Sequence, residues 1–212
     1  MIINFLGDSI TAGAGASKPE NCFVERVGQI LGCKVNNYGV CGTRIAKQTI
    51  PSNEPIYDLD FNQRSKNMDK FADYVFVFGG TNDYGHGDAD MGSLDDKTEF
   101  TFCGALNCLI DYLLTILPAY RIRFILPLPR YNEDSIYGEG LKKTACYKLS
   151  DYVNCEMQIL DKRGIKYLDL RKLFPIPTVN TGDELTVDGL HPNDRGHTII
   201  ANFICEHLRN QL

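Results

Sequence analysis

The segment Gly7-Asp8-Ser9-Ile10-Thr11 decides how the amino-terminal half folds, because it follows directly on the apolar run of residues 1–6. A short apolar run is typical of a strand buried in a parallel sheet, and a small, polar tail suits the turn that leads from such a strand into a helix. The same pattern recurs where Gly79-Gly80-Thr81-Asn82-Asp83 follows the apolar residues 74–78. Both segments therefore predict polar side chains at the carboxyl ends of strands.

Strand and helix patterns alternate along the rest of the chain. Short apolar stretches predict strands at residues 2–6, 34–37, 74–78, 123–126 and 166–170. Apolar residues at helical spacing predict helices at residues 20–31, 98–117, 141–160 and 193–208, with Asp96 and Glu99 as a capping pair for the second helix. This order predicts an α/β fold, a three-layer αβα sandwich with a mostly parallel sheet, in one domain of residues 1–212.

Composition and charge restrict the class of protein. The chain of 212 residues carries a formal charge of −5, which argues against a nucleic-acid partner. Residues 1–6 start a strand rather than a signal peptide, and no apolar run approaches the roughly 20 residues that span a membrane. None of the eight cysteines forms a Cys-x-x-Cys pair, so we expect mostly reduced thiols and a cytoplasmic protein.

Three residues could form a nucleophile and its base. Ser9 at a strand-to-helix turn would expose its hydroxyl, and His191, with Asp188 three residues before it, could accept the hydroxyl proton. Each fragment also has a structural interpretation. Asp8 or Ser9 could simply cap a helix, and Asp188-Gly189 could be an ordinary surface turn. The combination favours acyl transfer to a serine.

Two further residues could stabilise a developing oxyanion. Asn82 could donate its side-chain amide, and Gly42 could donate its backbone amide beside the backbone amide of Ser9. Taken alone, the glycine and asparagine residues are also common in turns.

Together, these segments resemble the four blocks of the SGNH (GDSL-type) esterases and acylhydrolases. The matching segments are Gly7-Asp8-Ser9, Asn37-x-Gly39-x-x-Gly42, Gly80-x-Asn82-Asp83 and Asp188-x-x-His191-Pro192. The resemblance implies a flavodoxin-like αβα fold with about five parallel strands. It also implies Ser9 as nucleophile, His191 as base, Asp188 as its partner, and an oxyanion hole made by Ser9, Gly42 and Asn82.

Other motifs give weaker signals. Residues 13–18 resemble a phosphate loop but lack Gly-Lys-Ser/Thr and a third glycine. His86, Asp88 and Asp90 show no paired metal-ligand motif, so we expect no metal and no cofactor. Cys41 is interpreted as a packing residue, with a redox role left open.

The expected reaction is hydrolysis of a small ester through an acyl-enzyme on Ser9, with short acyl groups such as acetyl on a sugar favoured. A lysophospholipase, a thioesterase and a non-catalytic flavodoxin-like binding module remain alternatives, and the sequence leaves the oligomeric state open. Tyr84, Arg130 and Tyr131 are candidates for lining the substrate pocket. The acidic residues 84–96 are expected to overhang the site and to disfavour anionic ligands.

Overall fold

Five parallel strands run through the computed structural model, which describes residues 1–140 and 142–210. Their spatial order is β2-β1-β3-β4-β5, so β2 lies on one side of β1 and the other three strands lie on the other side. This confirms the predicted α/β fold with a parallel sheet, in the flavodoxin-like order. The strands are β1 (Ile2–Gly7), β2 (Lys34–Gly39), β3 (Tyr74–Phe78), β4 (Ile122–Ile125) and β5 (Lys166–Leu168).

Helices cover both faces of the sheet. Among the described residues they are α1 (Ser9–Ala12), α2 (Phe23–Leu31), α3 (Phe61–Ser65), α4 (Thr81–His86), α5 (Phe102–Ile116), α6 (Leu149–Lys162) and α7 (Asp194–Arg209). Helices α2 and α7 pack together on one face, while α5 packs between α3 and α6 on the other. The result is the expected three-layer sandwich.

Each face of the sheet has its own apolar core. Phe5 and Phe76 stack with their ring centroids 5.3 Å apart on the face of α2 and α7, and Phe23 meets Phe5 edge to face. Val75 and Val77 point to the opposite face, toward α5 and α6. Because successive strand residues point to opposite faces and both faces are covered, the strands read as continuous apolar runs in the sequence.

Two predicted helix starts are wrong. Helix α5 begins at Phe102 and is capped by Thr101, whose hydroxyl accepts a hydrogen bond from Gly104 N, so Asp96 and Glu99 are not its capping pair. Helix α6 begins at Leu149 rather than at residue 141, which itself lies outside the described residues. Ala145 has a positive φ of 50°, which an α-helix does not accommodate. Local turns therefore override the apolar spacing in both places.

One pair of cysteines forms a disulfide, whereas the sequence predicted mostly reduced thiols. Cys103 on α5 and Cys155 on α6 form a disulfide where these helices pack together, 52 residues apart in sequence. The other six cysteines are free. The spacing could not reveal the pair because helix packing, not sequence separation, brings the two side chains together.

Glu156 is a buried carboxyl group on α6 beneath the carboxyl end of β3. It is 1% exposed, and its Oε1 has no hydrogen-bond partner among the described residues. Burial, reinforced by the charge of Asp83, raises the pKa of Glu156 well above its usual value of 4.5. The folded protein therefore keeps a proton that the unfolded chain loses.

Replacing Glu156 with Gln should change how stability depends on pH. The free energy of unfolding of the wild type should fall by up to about 1.4 kcal/mol per pH unit between the two pKa values of Glu156, because only the unfolded state releases the proton there. Glu156→Gln should lack this slope and gain stability relative to the wild type from pH 4 to pH 8. Urea unfolding at several pH values measures this pH dependence of the free energy of unfolding, with the exposed Glu206→Gln as control. Parallel curves for wild type and Glu156→Gln would contradict this account.

Candidate active site

Ser9, His191 and Asp188 form a continuous hydrogen-bonded chain. The distance from Ser9 Oγ to His191 Nε2 is 2.9 Å, and that from His191 Nδ1 to Asp188 Oδ2 is 2.7 Å. Ser9 is 7% exposed, so its hydroxyl lies at the bottom of a depression rather than on an open surface. The arrangement can pass a proton from a hydroxyl to an imidazole whose tautomer is fixed by a carboxylate.

The carboxylate of Asp188 is held by the residues that follow it. Its Oδ1 accepts hydrogen bonds from the backbone N–H groups of Leu190 and His191, at 3.0 and 2.7 Å. Burial alone would raise the pKa of Asp188, but the hydrogen bonds from the ring and backbone of His191 outweigh burial and lower it. Asp188 is therefore a stable anion that orients the ring.

Ser9 is positioned by the turn from β1 into α1. Asp8 caps the helix, since its carboxylate accepts a hydrogen bond from Ile10 N at 3.0 Å. Helix α1 lies directly on the end of β2, where a Cβ on Gly39 would come within 2.1 Å of Ala12 N. Only glycine permits this close approach. Burial raises the pKa of Asp8 to about 6.

The loop that carries His191 is fastened to the segment after α1. Ser17 donates to the carboxylate of Asp194 through both its backbone N–H and its hydroxyl, at 2.8 and 2.6 Å. His197 lies 3.2 Å from Ala14 O through Nε2, and its Nδ1 accepts from Phe23 N at 3.3 Å. These contacts fix the two loops so that His191 meets Ser9.

Gly42 and Asn82 follow the strands on either side of β1. Gly42 has a φ of 74°, and no acceptor for its N–H is found within residues 1–140 and 142–210. Asn82 is 4% exposed and donates one amide hydrogen to Thr43 O at 2.9 Å, so its amide lies next to the peptide that follows Gly42. The second hydrogen of that amide remains available.

Asp83, to which the sequence assigned no separate role, fixes the segment after Gly42. Its carboxylate accepts hydrogen bonds from Ile45 N and Ala46 N, both at 2.9 Å. Asp83 is 3% exposed, and burial raises its pKa. Asp83 directly follows Asn82. The residue that supplies the amide donor and the residue that binds the neighbouring loop are therefore adjacent in the sequence.

Arg64 on α3 is a buried residue that the sequence gave no reason to single out. It donates to Thr43 Oγ1 at 2.6 Å and to Gly7 O at 2.8 Å, and it also contacts Tyr38 O. Burial lowers its pKa to about 10, opposed by the nearby charge of Asp8. One guanidinium thus joins the ends of β1 and β2 to the loop that contains Gly42.

The three candidate pocket residues lie in different surroundings. Arg130 and Tyr131 line a cavity of about 300 Å³ beside Asp188, together with Asn132 and Glu139. Tyr84 is fully buried and packs against Tyr152, so it belongs to the core and does not face an open pocket. The cause is that residues 81–86 form helix α4, with Tyr84 on the side that faces the core.

The remaining motif residues have separate structural partners. His86 contacts Glu139 and Gly42 O, Asp88 accepts from Thr49, and Asp90 accepts from Tyr147. Within the described residues, no group of three His, Cys, Asp or Glu side chains is arranged to hold a metal ion. Cys41 is a free, exposed thiol.

Comparison with known proteins identifies the family. A family model described as the GDSL-like lipase/acylhydrolase family matches residues 5–199. The chain belongs to this family. The resemblance inferred from the four blocks is thereby confirmed, and the protein is a carboxylic ester hydrolase by family. No curated protein matches the chain.

Solved structures share the fold over their whole length. A protein from Lactobacillus plantarum is 27% identical, with a TM-score of 0.78 over 99% of this chain and 97% of its own. A carbohydrate acetylesterase from Sinorhizobium meliloti is 15% identical, with a TM-score of 0.71 over 100% and 98%. A lipase/acylhydrolase from Enterococcus faecalis is 18% identical, with a TM-score of 0.65 over 100% and 96%. Among the described residues, no helix has the length and hydropathy to cross a membrane.

Replacing Arg64 with Met should weaken both stability and activity. The change leaves two buried backbone carbonyls without their charged donor, so we expect the free energy of unfolding to fall by about 2 to 4 kcal/mol. The kcat for ester hydrolysis should fall as well, because the loop that contains Gly42 loses the hydrogen bond from Arg64 to Thr43. Chemical denaturation measures the first effect, and the exposed Arg209→Met should shift stability by less than about 0.5 kcal/mol. If the two variants unfold alike, Arg64 does not hold the strand ends together.

Proposed function

We propose that this protein is a serine-dependent esterase that removes short acyl groups, acetyl groups on carbohydrates among them, through an acyl-enzyme on Ser9. The observation that carries the proposal is the hydrogen-bonded chain Ser9–His191–Asp188, with distances of 2.9 and 2.7 Å. The order of the sheet supports it too. Ser9 follows β1 and Asn82 follows β3, and the crevice between these two strands is where sheets of this order bind ligands.

In the proposed reaction, Ser9 Oγ attacks the ester carbonyl while His191 Nε2 takes its proton. Asp188 keeps the other ring nitrogen protonated and stabilises the imidazolium that forms. The backbone N–H groups of Ser9 and Gly42 and the free amide hydrogen of Asn82 would bind the oxyanion. His191 then gives its proton to the leaving alcohol. In the second half, His191 takes a proton from water as the water oxygen attacks the acyl carbonyl. The bond from the acyl carbon to Ser9 Oγ then breaks, the carboxylic acid leaves, and His191 returns the proton to Ser9 Oγ.

The preference for a short acyl group rests on the small size of the cavity beside the catalytic chain. Its volume of about 300 Å³ is at the lower end for ligand pockets, and Arg130, Asn132, Glu139 and Asp188 supply polar groups in its lining beside Tyr131 and Leu190. The structural neighbour from Sinorhizobium meliloti is named as a carbohydrate acetylesterase, which supports the same substrate class.

Replacing Ser9 with Ala should remove the activity and keep the fold. With 4-nitrophenyl acetate we expect kcat to fall by about four orders of magnitude or more, because the attacking oxygen is lost. Ser150→Ala, a change of the same kind at an exposed position of α6, should retain full activity. A fluorophosphonate should label the wild type at Ser9. Equal activity of Ser9→Ala and wild type would contradict the role of Ser9 as nucleophile, whereas no labelling and no turnover at all would support a binding module.

The length of the acyl chain should control the rate. We expect kcat/KM to decrease by about tenfold or more from 4-nitrophenyl acetate through the butyrate to the octanoate, because a small cavity leaves little room for added methylene groups. Initial rates at equal substrate concentration with the purified protein measure this profile. A steady increase toward octanoate would contradict the short-acyl proposal and favour a lysophospholipase.

A further inference from the structure

A second cavity lies beside the Gly42 loop. It has a volume of about 370 Å³, and three cationic side chains are among its lining residues. The lining residues that matter here are Arg44, His86, Asp88, Lys142 and Lys143. The activity derived above uses none of these five.

This cavity is connected to the proposed oxyanion residues by direct contacts. His86 Nε2 lies 3.3 Å from Gly42 O, and Arg44 follows Gly42 by two positions. Lys142 Nζ donates to Asp83 O at 3.0 Å, one residue after Asn82. A group bound in the cavity would therefore lie next to the residues proposed to bind the reacting carbonyl.

Two of the cations are buried, and they differ in how far they are satisfied. Lys142 is 7% exposed, and its amine donates to Asp83 O at 3.0 Å and to the Tyr152 hydroxyl at 2.8 Å. Arg44 is 5% exposed; its Nη2 donates to Tyr57 O at 3.2 Å and pairs with Asp58 at 3.5 Å, but its buried Nε has no hydrogen-bond partner among residues 1–140 and 142–210. An unsatisfied buried guanidinium nitrogen calls for a reason, and an anionic ligand in the cavity would supply negative charge next to it.

The acidic side chains around the cavity are already engaged. Asp88 accepts hydrogen bonds from the hydroxyl and backbone of Thr49 and from Ile50 N, the latter at 2.6 Å. Glu139 is paired with Arg130 at 2.8 Å. Asp88, one of the acidic residues 84–96 expected to disfavour anionic ligands, also lines this cavity, and its carboxylate accepts hydrogen bonds from the backbone N–H groups of Thr49 and Ile50.

We propose that this cavity binds a carboxylate or phosphate group carried by the substrate, so that the protein prefers esters whose alcohol portion is anionic. The inference rests on the proposed esterase activity and specifies its substrate class. The charged groups of Arg44 and Lys143 would bind the anion, with the charge of Lys142 behind them, while the ester group reaches Ser9.

A pair of matched acetyl esters tests the preference. The probes are 4-acetoxybenzoate, which carries a carboxylate, and 4-acetoxybenzamide, which is neutral and of nearly the same shape. We expect the wild type to favour the carboxylate by about tenfold in kcat/KM at low ionic strength, and by less in 0.5 M salt. Release of the phenol measures both rates.

Reversing one charge at the cavity, and one far from it, shows whether the preference for the anionic ester comes from the cavity or from the net charge of the protein. Lys143 is exposed and outside the proposed catalytic machinery, so Lys143→Glu should keep the rate on the neutral ester and reduce the preference for the carboxylate by about fivefold. Lys70→Glu makes the same change at an exposed position before β3, at the opposite edge of the sheet, and should leave the preference unchanged. Equal preferences in these two variants would overturn the proposal.

The outcomes distinguish this inference from the proposed function. Ser9-dependent hydrolysis of both esters at the same rate overturns the anion site and leaves the esterase standing. No Ser9-dependent hydrolysis of either ester overturns the esterase. Calorimetry with phenyl phosphate then tests the cavity directly, and binding to Lys143→Glu should be about fivefold weaker than binding to Lys70→Glu. Equal binding of phenyl phosphate to the two variants would overturn the proposed anion site. Binding of inorganic phosphate as tight as that of phenyl phosphate would overturn the claim that the anion is part of the substrate.

Discussion

The hydrogen bonds of the buried Arg64 guanidinium hold together the edge of the sheet on which the candidate site is built. Gly7 O and Tyr38 O at the ends of β1 and β2 both accept hydrogen bonds from Arg64, and Gly7 O also accepts one from Val40 N at 3.1 Å. The same side chain reaches Thr43 Oγ1, which follows Gly42. A single cation thereby sets the spacing between the segment that carries Ser9 and the segment that carries the proposed oxyanion glycine.

Four titratable side chains are buried in the layer beneath the site. Asp8, Asp83, Lys142 and Glu156 all lie there, each at most 7% exposed. Burial shifts every one of them toward its neutral form, raising the pKa of the acids and lowering the pKa of Lys142 to about 8. Such a layer adds little stability, but its directional hydrogen bonds allow few alternative arrangements of the loops.

The predictions that succeeded depend on short-range patterns. The strands were found because both faces of the sheet are buried, and the α/β class followed from the alternation of strands and helices. The starts of α5 and α6 were missed because Thr101 caps one helix and a positive φ at Ala145 interrupts the apolar spacing before the other. Tyr84 was misplaced because the sequence does not show which side of α4 faces the core.

The sequence by itself determined the fold class, the family and the residues that can supply a hydroxyl, an imidazole, a carboxylate and an amide. These depend on residue type, spacing and order, which are fixed along the chain. Only the tertiary structure decided that Ser9 meets His191 over a separation of 182 positions, that Arg64 joins two strand ends, and that Arg44 and Lys142 share a cavity. Contacts between residues far apart in sequence arise from packing, and no local pattern encodes them.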